Sequence, residues 1–175
     1  MMDILLTLLL MVVLLVLKGF FSGSEIAMVN ADKVKINALA GKGHKGSRMV
    51  LEEFRSPEML LGTTLVGTNI ATIVLTTVGT LLVIRLVGDS GEGIAFLVFT
   101  PLFLVFGEIV PKSVYQHRST EIAPKAIYVL RVFRVLFFPL VVVFSRLSRL
   151  AARVFGGGLL EQNVYMTREW IRSVA

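Results

Sequence analysis

Phe21-Ser22-Gly23-Ser24-Glu25 interrupts an apolar run with two hydroxyls, a glycine and a carboxylate. Upstream, residues 4 to 17 are apolar apart from Thr7. At about 1.5 Å rise per residue they cover roughly 21 Å, short of the ~30 Å hydrocarbon core of a bilayer. A signal peptide would need a basic start and a small-residue cleavage site, whereas this segment begins with Asp3 and carries Lys18 at its far end. The helix is therefore expected to continue to about Val29 and to break at Ser22-Gly23-Ser24. An unpaired polar group at that depth costs several kcal/mol, so a polar partner must meet it.

Working outward, the composition places the whole chain in a membrane. Hydrophobic residues make up 55% of the 175 and charged residues only 17%, with a mean hydropathy of +0.79, which suits a helical membrane protein and excludes an ordinary soluble domain. Cysteine is absent, which rules out disulfides, thiolate metal sites and cysteine nucleophiles. The net charge of +6 comes from basic residues beside apolar runs. Membrane lipids and cytoplasmic loops explain it, and no nucleic acid partner is expected.

Between 30 and 57 the apolar signal falls and Lys33, Lys35, Lys42, Lys45, Arg48 and Arg55 gather. Two short helices around Gly41, Gly43 and Gly46 are expected here, as a cytoplasmic juxtamembrane hairpin. Met59 to Ile84 is the longest apolar run. At about 100° per residue, Gly62, Asn69, Thr72, Thr76 and Thr80 share one side, expected to face protein or a cavity. Thr63, Gly67 and Ala71 form a second, small-residue track suited to close helix packing. A short turn holding Gly88, Asp89 and Gly91 leads into a third run, 93 to 110, followed by Lys112, His117, Arg118 and Lys125.

Residues 123 to 155 are apolar again, but Arg131, Arg134, Arg146, Arg149 and Arg153 recur at helical intervals and Pro139 interrupts. A fourth span would bury Arg131 and Arg134 at roughly 2.5–3.5 kcal/mol each. Two amphipathic surface helices bent at Pro139 are expected instead. The fold expected is thus an all-α membrane protein with three transmembrane helices, the first one broken, plus cytoplasmic juxtamembrane amphipathic helices. The N-terminus is expected outside and the C-terminus in the cytoplasm, in the plasma (inner) membrane. Residues 1–155 form the membrane domain, and 156–175, opening on Gly156-Gly157-Gly158, read as a linker to a cytoplasmic domain beyond this chain.

The polar interruptions offer oxygen of every kind: hydroxyls at Ser22 and Ser24, an amide at Asn69, a carboxylate at Glu108. Hard divalent cations take such ligands, and magnesium wants six near octahedral geometry. Pro111 has no amide N–H, which leaves the Gly107 carbonyl without its helical donor, and Gly23 lets the first helix open. Thr72 and Glu25 are supporting candidates, with a structural ion pair to Lys18 as the alternative for Glu25. For Glu108 the alternative is a helix-end acid paired with Lys112, and for the serines and Asn69 it is helix back-bonding or helix–helix tying. There is no His-Glu-x-x-His, no phosphate-binding glycine loop, and no histidine within the spans to activate a serine, so no enzyme is expected.

Phe21-Ser22-Gly23-Ser24-Glu25-Ile26-Ala27, Gly67-Thr68-Asn69-Ile70-Ala71 and Phe106-Gly107-Glu108-Ile109-Val110-Pro111-Lys112, in that order and spacing, resemble the transmembrane domain of the CorC/CNNM (cyclin M) magnesium transporter family. The similarity extends to Ala38-Leu39-Ala40-x-x-Gly43 and Met166-Thr167-Arg168-Glu169. The resemblance implies a three-span homodimeric domain that exports magnesium, coupled to sodium entry. It implies a largely dehydrated Mg2+ among Ser22, Gly23, Ser24, Asn69, Gly107 and Glu108, and cytoplasmic cystathionine-β-synthase (CBS) domains following in the full-length chain. A membrane-anchored cation sensor and a gated channel are the alternatives.

Overall fold

The computed structural model describes residues 2–55, 57–88 and 90–154, with side chains over 4–55, 57–88 and 90–143. These fall into two compact units, divided between Val141 and Val142. The second contains the end of the last helix. The linker expected at 156–175 lies outside the described residues.

Unit 1 is built from α1 (Met2–Asn30), α2 (Lys33–Gly41), α3 (Lys45–Glu53), α4 (Pro57–Val87), α5 (Gly91–Leu104), a π-helical turn (Val105–Ile109), α6 (Val110–His117) and the part of α7 (Ser119–Val154) up to Val141. No strand occurs among the described residues. The break expected in the first helix is absent, since α1 is continuous through Ser22-Gly23-Ser24. In an apolar medium each backbone N–H needs an acceptor within its own helix, and opening the ladder costs more than the roughly 1 kcal/mol that glycine loses relative to alanine.

The basic segment forms the expected helical hairpin. Asp32 Oδ1 caps α2 by accepting from the Val34 and Lys35 amides at 2.9 and 3.1 Å. The chain reverses at Gly43, whose φ of +88° is open to glycine without strain. His44 Nδ1 then caps α3 by accepting from Ser47 N at 3.2 Å. Ile36 of α2 and Val50 of α3 are fully buried.

Four helical stretches, 4–30, 57–87, 91–117 and 119–143, are long and apolar enough to cross a membrane, not three. The segment read as two surface helices bent at Pro139 is a single helix containing both Pro124 and Pro139. Counting unpaired arginine charge in a fourth span was the error. Arg134 Nη1 donates to both carboxylate oxygens of Glu53 at 2.5 and 2.6 Å, and Arg131 pairs with Glu52 and, at 3.6 Å, with Glu53. Neutralised in this way, Arg131 and Arg134 no longer forbid an apolar helix.

Lipid tails are as apolar as leucine, so helix association inside a membrane rests on close packing of small residues rather than on apolar burial. On α4 the buried track is Thr63, Gly67, Ala71, Leu75 and Gly79. A Cβ on Gly67 would sit 2.7 Å from the Phe21 ring, and one on Gly79 would sit 2.7 Å from Phe99. Phe21 in turn meets Phe133 of α7 edge-on, ring centroids 4.8 Å apart. The face predicted from Asn69, Thr72 and Thr76 is not the packed one, because Asn69 and Thr76 are exposed in the single chain. The threonines satisfy themselves along their own helix: Thr72 donates to Thr68 O at 2.8 Å and Thr76 to Thr72 O at 2.9 Å.

Candidate cation site

The site begins where α1 meets α6 and the π turn. Gly19 and Gly23 lie four residues apart on α1, a small-x-x-x-small spacing that allows backbones to approach. A Cβ on Gly19 would stand 2.9 Å from Pro111 Cγ, and one on Gly23 would stand 2.6 Å from Tyr115 Cγ. The two glycines thus receive two side chains, themselves four apart, from α6. Gly23 serves to admit Tyr115 rather than to open α1.

Between these contacts stand Ser22 and Ser24, 1% and 0% exposed. Neither Oγ has a hydrogen-bond partner, and the same holds for the buried hydroxyl of Thr68 on α4. Buried polar atoms are nearly always paired, so each of the three orphaned hydroxyls stands out, with Ser22 and Ser24 about 200° apart around α1. Phe21 packs on Gly67, which puts the next residue of each helix, Ser22 and Thr68, at one level of the bundle.

The irregular backbone lies opposite. The π turn holds Gly107 and Glu108, and the Val110 amide donates to Val105 O, five residues back. Pro111 has no N–H to give to the carbonyl four or five residues before it. Such turns interrupt helices frequently at functional sites. Gly107 is buried against the Lys18 stem, since its Cβ would be 2.8 Å from Lys18 Cδ. Glu108, 36% exposed, accepts from Lys112 Nζ at 3.0 Å.

Of the residues singled out in the sequence, Ser22, Gly23, Ser24 and Gly107 are buried, Glu25, Thr72, Glu108 and Pro111 are half-buried, and Asn69 is exposed in the single chain. Two residues escaped that reading. Thr68 sits beside Asn69 in the same motif and is the inward one. Lys18, 5% exposed, donates to Phe103 O at 3.3 Å, so its recorded bond is to α5 and not to Glu25. An intramembrane lysine one turn before Ser22 is itself a functional signal. Lys18 lies within electrostatic reach of both Glu108 and Lys112. The formal charges of Lys18, Lys112 and Glu108 sum to +1, so hydroxyl and backbone oxygens would have to join Glu108 in holding a cation. Among the described residues no three His, Asp or Glu side chains converge.

Residues 9–175 match the family described as the cyclin M transmembrane N-terminal domain. Over 140 residues the chain is 30% identical to a protein named UPF0053 inner membrane protein YfjD from Escherichia coli, covering 80% of this chain and 33% of that protein. It is 29% identical over 164 residues to a UPF0053 protein of Haemophilus influenzae, covering 94% and 39%. It is also 25% identical over 167 residues to a polyamine export protein of the same organism, covering 88% and 39%. The chain thus spans about a third to two fifths of these relatives' length. Membrane domains of this kind are structural and transport modules rather than enzymes, and the family is associated with magnesium transport. With the three motifs in register and the match running over nearly all of its length, the chain belongs to the CNNM/CorC (UPF0053) family of membrane domains.

Proposed function

We propose that this domain exports magnesium, binding a largely dehydrated Mg2+ among Ser22, Gly23, Ser24, Asn69, Gly107 and Glu108, with Glu25, Thr72 and Pro111 supporting and Thr68 added to the set. The observation that carries the reading is the pair of fully buried serine hydroxyls, within one turn of an unbroken helix and about 200° apart around it, with no protein partner. A hard cation is the ligand that such oxygens suit. Asn69, exposed in the single chain, comes into play as part of a homodimer or of a second arrangement of α4.

The basic hairpin is assigned to the cytoplasmic face by the positive-inside rule, with the N-terminus outside. The start of α7 lies at the same level, because Ser119 Oγ donates to Asn30 O at 3.0 Å. Sodium entry supplies the coupling. Vesicles loaded with a magnesium-sensitive dye test the reading. Ser22→Ala/Ser24→Ala should abolish flux while leaving the thermal transition in place, and removing the sodium gradient should stop export. Normal flux in the double variant refutes the site. Binding without flux makes the domain a sensor, and ion conductance makes it a channel. A polyamine included as rival cargo addresses the activity in the name of the Haemophilus relative.

A further inference from the structure

We propose that the Lys18 ammonium is a tethered cation that stands in for the cargo when the site is free of it, and so sets the affinity and valence preference of the site; this rests on the site reading above. Lys18 lies one turn before Ser22 on the same continuous helix. Its stem is pressed against Gly107, the glycine of the π turn. Its head donates to the Phe103 carbonyl at 3.3 Å, just before that turn begins, within electrostatic reach of Glu108. The one positive side chain buried in the described part of α1 is therefore placed on the same side of α1 as Ser22, against the irregular backbone of 105–109.

A lysine head is a compact point charge on a flexible four-carbon stem with three donors. It can satisfy a carbonyl in one position and withdraw along its stem in another. A divalent ion entering the same space meets an ammonium at close range, and Glu108, already shared with Lys112, offsets only part of that charge. Cargo and lysine therefore compete. A bound Mg2+ displaces the head from Phe103 O, and its return helps to expel the ion. Tight binding is given up for release, which is what a carrier needs. A monovalent ion meets half the repulsion, so the same residue narrows the preference for Mg2+ over Na+.

The test measures Mg2+ and Na+ binding to the purified chain, and magnesium efflux from vesicles, for Lys18→Met, Lys18→Arg and the Ser22→Ala/Ser24→Ala pair in both backgrounds. Removing a like charge within a few ångströms, at an effective dielectric of roughly 20, should tighten Mg2+ binding by about tenfold or more in Lys18→Met. The Mg2+/Na+ ratio should rise and efflux should slow. Lys18→Arg keeps the charge and should retain weak, wild-type-like Mg2+ affinity, which separates charge from packing. Unchanged or weaker Mg2+ affinity in Lys18→Met, with binding still lost in the serine double variant, overturns the role of Lys18 and leaves the site standing. Binding that ignores the serine substitutions in both backgrounds overturns the site reading and the proposal with it.

Discussion

Glu53 is the acidic residue on which the join between the hairpin and α7 depends, and its removal should be the most damaging single change on that side. The carboxylate is 1% exposed, while the arginines it holds, Arg131 and Arg134, are 36% and 34% exposed. Breaking a fully buried pair by deleting one partner costs about 3–5 kcal/mol, because the other charge is left without compensation. Here water reaches a third of each guanidinium, and Arg131 keeps Glu52, so Glu53→Ala should cost about 2–3 kcal/mol. Glu52→Ala, at a residue 53% exposed, should cost no more than about 1 kcal/mol. Replacing both Glu53 and Arg134 by methionine removes charge and counter-charge together, and should recover much of the Glu53→Ala loss. Unfolding of the purified domain in mixed micelles, followed by helical circular dichroism, gives each value, and the single variants Glu53→Met and Arg134→Met close the cycle that isolates the pair. If Glu53→Ala falls within about 0.5 kcal/mol of the wild type, or matches Glu52→Ala, the pairing that admits α7 as an apolar helix is refuted.

In the same assay Gly23→Ala should cost about 1–3 kcal/mol, since its Cβ lands 2.6 Å from the root of the Tyr115 ring; Gly23→Ala/Tyr115→Ala should regain part of the loss, and equal stability in wild type and Gly23→Ala would remove the close approach of α1 to α6. Gly43→Ala should lose about 1–2 kcal/mol although nothing lies within 4 Å, because its φ is +88°. Gly41→Ala, with equally open space and ordinary helical backbone, should be neutral or gain up to about 1 kcal/mol, and a reversed order of these two would contradict the turn.

The spans at 4–30, 57–87 and 91–117 were legible because an apolar run of the right length has few alternatives. The hairpin was legible from three glycines between two weakly apolar segments. What was misread depended on partners far along the chain. The charges of Arg131 and Arg134 look prohibitive until Glu52 and Glu53 are placed beside them, 79 to 81 residues away in sequence. On α4 the wheel was drawn through the polar residues, yet threonines that bond to their own carbonyls need no protein partner and can face outward. The packed face follows the smallest residues, Gly67, Ala71 and Gly79, because packing is what holds helices together in lipid. The sequence already contained that answer in the alternate track from Thr63 to Ala71.

Gly23 departs from the role that local reading assigns it, whereas Gly107 keeps its place in irregular backbone. A glycine between two serines looks like the place where a membrane helix opens, but α1 keeps its ladder and uses Gly19 and Gly23 as sockets for Pro111 and Tyr115. The backbone departs from regular α-helix one helix pair away, in the turn at 105–109, where Pro111 already forfeits an amide and one irregularity can absorb the loss. The division is physically economical: a straight α1 holds Ser22 in a fixed position one turn from Lys18, and the π turn lies across the gap that the Lys18 stem fills. A cation held across that gap would be bound on one side by a rigid hydroxyl and on the other by a segment able to revert to ordinary helix. Movement of the π turn, rather than opening of α1, is then the step by which a bound ion would change sides, with Lys18 riding on the rigid half and reaching across to Phe103 on the other.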